Sequence, residues 1–142
     1  MGLMDEGWAD FIEGTRGRPA MPFLGLALDF VRRPPGLAVE LGAGSGVETR
    51  ALLGLGWRVH AIDGSSRTAE VLAEEVGSDR DRLTVDIGSF GDVSIPLADL
   101  VFAQFSLPFA AERLDEVMEH IDEAVGGGSV FAGHFFGPND DW

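Results

Sequence analysis

The chain has 142 residues, 10 Lys+Arg against 24 Asp+Glu, a formal net charge of −14, 45% hydrophobic residues and no cysteine. That length suits one domain with a real core, and the hydrophobic fraction excludes a disordered chain. The absence of cysteine excludes disulfide scaffolds, thiolate zinc sites and cysteine nucleophiles.

The acidic balance opposes a phosphate backbone, so nucleic acid is not an expected partner. The apolar runs fall short of the roughly 20 residues of a membrane span. Near the start, Asp5 and Glu6 stand without a basic residue, which is no signal-peptide pattern, and the expected location is the cytoplasm.

In chain order, Pro22–Val31 reads as a helix with proline in its first turn. Arg32-Arg33-Pro34-Pro35-Gly36 is the nearest thing to a linker, and it divides residues 1–36, a cap or lid segment with one helix, from residues 37–142. Leu37–Leu41 is a buried strand that breaks at Gly42-Ala43-Gly44-Ser45-Gly46. Val47–Leu55 follows as a helix ended by Gly56. Arg58–Asp63 is the second strand, and Thr68–Val76 a helix behind a Gly64-Ser65-Ser66 turn that offers an N-cap.

Leu83–Ile87 and Ala98–Ala103 are strands three and four. Glu112–Val125 carries Leu114, Val117, Met118, Ile121 and Val125 as a helical stripe. Gly126-Gly127-Gly128 should end that helix, before a fifth strand over Val130–Phe136. Strands alternating with helices predict an α/β fold: a Rossmann-like, mainly parallel sheet of about five strands with helices on both faces.

Ligands of such sheets sit beyond the carboxyl ends of the strands. Gly42 permits the tight turn there, Gly44 lets a ligand lie on the backbone, and Gly46 lets the helix start close to it. Asp63 ends the next strand about 20 residues on, the separation expected of an acid that binds ribose hydroxyls. The pattern points to a nucleoside-containing ligand. The turn is G-x-G-x-G with Val47 where a dinucleotide fingerprint has Gly or Ala, and Glu40 just before it repels a pyrophosphate but suits an ammonium or sulfonium.

Val39-Glu40-Leu41-Gly42-Ala43-Gly44-Ser45-Gly46 resembles motif I of the class I S-adenosylmethionine-dependent methyltransferases, and Asp63 falls on that family's ribose-binding acid. Asp86-Ile87-Gly88-Ser89-Phe90 is similar to its adenine-contacting segment, and Ala103-Gln104-Phe105-Ser106-Leu107-Pro108-Phe109 to the loop facing the methyl acceptor. Within the family, Trp8…Gly17-Arg18-Pro19 and Phe105–Phe109 look like small-molecule methyltransferases of the tellurite-resistance type. The resemblance implies S-adenosylmethionine as cofactor, held by Glu40, Gly42, Ala43, Gly44, Ser45, Gly46, Asp63, Gly64, Ser65, Asp86, Ile87, Gly88, Ser89, Phe90, Gln104 and Phe105.

It implies an acceptor pocket from Trp8, Arg18, Ser106, Leu107, Phe109 and His134, in which Arg18 would meet the methionine carboxylate or an anionic acceptor. The family sheet has seven strands, the last two an antiparallel addition that is missing here. The fifth strand should therefore be an edge, open to a homodimer or strand pairing near Val130–Phe136, or else the chain is a piece of a longer one.

Methyl transfer from a sulfonium needs orientation above all, and a soft nucleophile needs no base. No catalytic base and no metal site are expected. His134, near the carboxyl end of the fifth strand, is the one histidine placed for a role. The loop after the fourth strand lacks the Asn/Asp-Pro-Pro-aromatic pattern of nucleic-acid amino methyltransferases, so the expected acceptor is a small molecule. The rival readings are a nicotinamide-dependent oxidoreductase, disfavoured by Val47, Glu40 and the absence of Tyr and Lys, and a nucleoside-binding module without turnover.

Overall fold

The computed structural model describes residues 3–135 and 137–139, with side chains from residue 7 onward. Five strands, β1 (Leu37–Leu41), β2 (Arg58–Asp63), β3 (Leu83–Ile87), β4 (Ala98–Ala103) and β5 (Val125–Gly133), form one sheet in the order β3-β2-β1-β4-β5. Every pairing is parallel, with Glu40 opposite Ala61 on one side and Phe102 on the other.

Helices α2 (Pro22–Asp29), α3 (Val47–Gly54) and α4 (Ser66–Glu75) cover one face of the sheet, where Leu24, Ala27, Leu52, Leu53 and Leu72 meet Ala38, Val59, Ala61, Leu100 and Phe102. Helix α5 (Leu114–Ala124) covers the other, where Val117, Ile121 and Ala124 meet Val39, Leu41, Val101 and Ala103. The two-residue period of the strands sends alternate side chains to the two cores, so β1 and β4, buried from both sides, are nearly all apolar.

The structure departs from the sequence reading at both ends. A further helix, α1 (Leu3–Thr15), precedes the one expected in the first 36 residues. Its Ile12 is buried, and Trp8, Phe11 and Ile12 stand at the spacing of one helix face. At the other end β5 begins at Val125, directly after α5, and the three glycines lie within it. Its ladder to β4 jumps from Ala98↔Val125 to Leu100↔Val130, which accommodates the extra glycines as an irregularity.

Gly128 has φ +86, and a Cβ there would meet the Arg33 guanidinium 2.5 Å away. Arg33 also donates to Gly127 O and, at 3.0 Å, to Asp99 Oδ1, so the expected linker is tied to β4 and β5. His134 and Phe135 follow the strand, and Phe136, which the sequence places in it, lies outside the described residues. Among the described residues β5 pairs with β4 alone and forms an edge of the sheet, as expected.

Candidate methyl-donor cleft

The order of strands reverses between β1 and β4, the place where open parallel sheets leave a crevice. The three glycines of the β1–α3 turn all have positive φ, +81, +55 and +76, yet they serve different ends. A Cβ on Gly42 would lie 2.4 Å from Ser106 Cβ, with Phe90 at 3.6 Å, so this glycine lets the loops after β3 and β4 close on the turn. A Cβ on Gly46 would lie 2.4 Å from Leu72, so this one admits α4 rather than a ligand. Gly44 meets nothing within 4 Å. Its open face is the part of the turn a ligand can lie against.

Asp63 turns toward that face. One carboxylate oxygen accepts from Gly44 N and the other from Ser65 N, both at 2.9 Å. Each oxygen keeps a lone pair for a further donor. Gly42 N and Ala43 N donate to Ile62 O, and Gly88 N to Asp63 O, so the first three strand ends are laced together by backbone bonds. Ser65 caps α4, accepting from Arg67 N. Gly64 joins the capping residue to Asp63, and Ser45 is buried against Thr15 of α1, its hydroxyl 3.1 Å from Thr15 Oγ1.

Glu40 differs from its expected placement. It points under α3, fully buried, and accepts from Thr49 Oγ1 at 2.5 Å. Burial pushes its pKa up to about 8, with Glu48 and Asp63 adding to the rise and Thr49 and Arg18 opposing it. At neutral pH most of it is the neutral acid, and a cation arriving at the turn would draw it toward the carboxylate.

Glu48, which sequence reasoning missed, is the hub of the site. It is buried, takes two bonds from Arg18 at 2.8 and 2.6 Å, a third from Met21 N at 3.2 Å and a fourth from Gln104 Nε2 at 3.4 Å. The one hint in sequence was an acid in the first turn of α3, where the helix dipole favours it.

Arg18 is thus engaged by Glu48 and does not stand free for an anionic ligand, as the sequence reading had it. Ser106 and Leu107 also sit elsewhere than expected: Ser106 Oγ donates to Leu41 O at 2.6 Å, and Leu107 is fully buried against the α5 core. Both fasten the loop after β4 instead of lining a pocket. Asp86 bonds His60 Nε2 at 2.7 Å, Ser89 bonds Asp92, and Ile87 is exposed, so of the segment Asp86–Phe90 it is Phe90 that reaches the turn.

The N-terminal segment closes the remaining side. Trp8 stands edge-on to Phe109 with ring centroids 4.9 Å apart and to Phe11 at 5.8 Å. Phe105 lies flat on His134, centroids 4.0 Å apart at 4°, and Gln104 Nε2 lies 3.0 Å from Met21 Sδ. No group of three or more His, Asp or Glu side chains with metal-binding placement occurs among the described residues. No helix among them is long and apolar enough to cross a membrane.

Solved methyltransferases share this Rossmann-like fold. The CcbJ methyltransferase of Streptomyces caelestis superposes with a TM-score of 0.68 at 23% identity over 88% of this chain and 54% of that one. A DhpI complex with SAM and HEP gives 0.64 at 22% identity, over 92% and 61%. The glycopeptide N-methyltransferase MtfA with S-adenosyl-L-homocysteine gives 0.69 at 22%, over 82% and 52%. The chain therefore spans little more than half the length of these proteins. No protein-family model and no curated protein matches the sequence.

Proposed function

We propose that the chain binds S-adenosylmethionine across the β1–α3 turn and directs its methyl group to a small-molecule acceptor. The observation that carries this is the pairing of an open Gly44 face with an Asp63 carboxylate anchored on Gly44 N and Ser65 N. A bare backbone bend accepts the methionine end, and the anchored carboxylate has lone pairs left for two ribose hydroxyls. The bound cofactor would supply an activated methyl group on sulfur.

The chain's own part is to bind and orient. Residues 37–142 form the cofactor-binding domain and residues 1–36 its cap, with Trp8 and Phe109 excluding water. Buried Glu40, largely the neutral acid, can ionise as a sulfonium or ammonium arrives at the turn, which favours a cationic ligand there. With in-line displacement, holding the acceptor on the methyl axis accounts for most of the acceleration. The tellurite-resistance subtype and a cytoplasmic location belong to the same proposal, supported by the motif resemblance and the charge.

Calorimetry with S-adenosylhomocysteine beside NAD tests it. The expected result is binding of the first alone, weakened at least tenfold in Asp63→Ala, since losing a charge-assisted bond is worth about 1.5–3 kcal/mol. Binding of NAD alone would make the protein an oxidoreductase instead.

A further inference from the structure

His134 lies beside this cleft, directly after β5. Its backbone N donates to Ala103 O at 3.0 Å, which sets it level with the end of β4. The Phe105 ring lies 4.0 Å from the imidazole centroid at 4°, and the Phe23 ring 3.8 Å from it at 40°. Two rings that near one centroid cannot share a face, so the imidazole is sandwiched and its plane set. Phe105 makes its half of the sandwich with φ +55. A non-glycine residue in that region is strained, and the surroundings must hold it there.

Among the described residues the ring has no carboxylate partner, unlike His60 on Asp86, and its Nδ1 is buried without a hydrogen-bond partner, which leaves Nε2 as the nitrogen that can meet an acceptor. Burial holds its pKa below the ordinary histidine value, so at neutral pH the ring is the free base. The charged groups around it are few. The Arg18–Glu48 pair reaches this region through Gln104, Asp29 is exposed farther along α2 from Phe23, β5 carries no charge, and the loop after β4 carries none before Glu112. The guanidiniums near the cleft are committed, Arg18 to Glu48 and Arg113 to Asp92 and Glu116. What remains around the ring is apolar: Phe105, Phe109 and Met21 are 37%, 49% and 37% exposed.

We propose that His134 is a catalytic residue that accepts the proton of an uncharged, ring-bearing hydroxyl or amine acceptor seated against Phe105 and Phe109. The inference rests on the methyl-transfer reading. The acceptor's oxygen or nitrogen lone pair forms the new bond to the methyl carbon. The carbon–sulfur bond breaks with its electron pair staying on sulfur, and the acceptor proton passes to the imidazole. Anionic acceptors are excluded by the lack of an uncommitted cation, and thiolates need no such base. This proposal departs from the expectation of a site without a dedicated base.

Phenol, aniline, thiophenol and phenylphosphonate share one ring and differ in the nucleophile, so they make the test with the 142-residue chain. Wild type is expected to methylate phenol or aniline, with kcat/KM rising through a pKa below 6.5 and then level. His134→Gln should keep S-adenosylhomocysteine affinity within about twofold and lower phenol or aniline turnover by about 10²-fold or more. It should also erase the acidic limb and leave any thiophenol turnover within about threefold.

Phe105→Leu, which removes the stack but no titrating group, should move that limb toward the pKa of an exposed imidazole. Equal losses on thiophenol and phenol in His134→Gln, or turnover of thiophenol or phenylphosphonate alone, or of no ring acceptor, overturn the proposal and leave the cofactor reading standing. Failure to bind S-adenosylhomocysteine overturns the cofactor reading, and this proposal with it.

Discussion

Gly44 and Gly46 share a left-handed backbone and differ in what faces them, which gives a pair of substitutions with opposite outcomes. Gly44→Ala carries about 1–2 kcal/mol of backbone strain and puts a methyl into the open face of the turn. It should fold, melt a few degrees lower, and bind S-adenosylhomocysteine at least tenfold more weakly by calorimetry. Gly46→Ala adds to the same strain a collision with Leu72, which is buried and cannot swing away. Its loss should appear chiefly in thermal unfolding.

Glu40 provides a pH signature. Its folded pKa, about 8, exceeds its ordinary value of 4.5, so between these the folded chain holds a proton that the unfolded chain releases. Stability from this group is present below the unfolded pKa and lost as pH rises through the folded one. Denaturant titrations from pH 5 to pH 9 should show declining stability in wild type, and Glu40→Gln, which keeps an acceptor for Thr49, should flatten that decline.

Among the elements, α1 and the segment after it are held in two physically different ways. Outside, Arg16 pairs with Glu74 and Glu75 at 2.9 and 2.7 Å, and Arg67 of α4 pairs with Glu13 of α1. Both partners of each of these pairs keep some contact with solvent, so salt screens them. Inside, Ile12 is buried and Arg18 forks onto buried Glu48. Raising salt from about 0.05 to about 0.5 M should speed amide exchange in α1 while leaving the sheet unchanged.

Arg18→Ala should cost more than any outer pair, about 2 kcal/mol by denaturant unfolding, because it leaves Glu48 buried and uncompensated. A fully buried pair would cost about 3–5 kcal/mol, but the Arg18 side chain is 30% exposed. Arg18→Met with Glu48→Gln should recover most of the loss.

For the molecule as a whole, the charge of −14 is spread unevenly. Along the edge strand β5 a groove of about 460 Å³ is lined by Phe23, Leu26, Ala27, Phe30 and residues 129–132, none of them charged. Leu26 and Phe30 are 56% and 64% exposed beside an unpaired strand edge. Such an edge is a template for another strand. Light scattering on the 142-residue chain should show association that grows with concentration and is suppressed by Leu26→Glu with Phe30→Glu.

Periodicity in the sequence was enough for five strands in a mainly parallel sheet and for the glycine turn with its acid, because strand, helix and turn each leave a local pattern. Apolar runs of strand length mark β1 and β4, and a bend that needs positive φ selects glycine whatever surrounds it. Helix α1 escaped because its apolar face is short and its partners, α4 and Phe109, are distant in sequence. The three glycines read as a stop because their pairing with β4 is a long-range register.

The site divides the same way. Spacing singled out Asp63, which the structure anchors on Gly44 N and Ser65 N. The claims on Arg18 by Glu48, on Ser106 by Leu41 and on His134 by two phenyl rings were not legible in the sequence, since a side chain's partner is fixed by which elements pack together. Sequence by itself determined where the backbone turns on bare glycines. Only the tertiary structure decided which charges remain free to meet a ligand there, because a buried carboxylate must take the nearest donor that packing brings within reach.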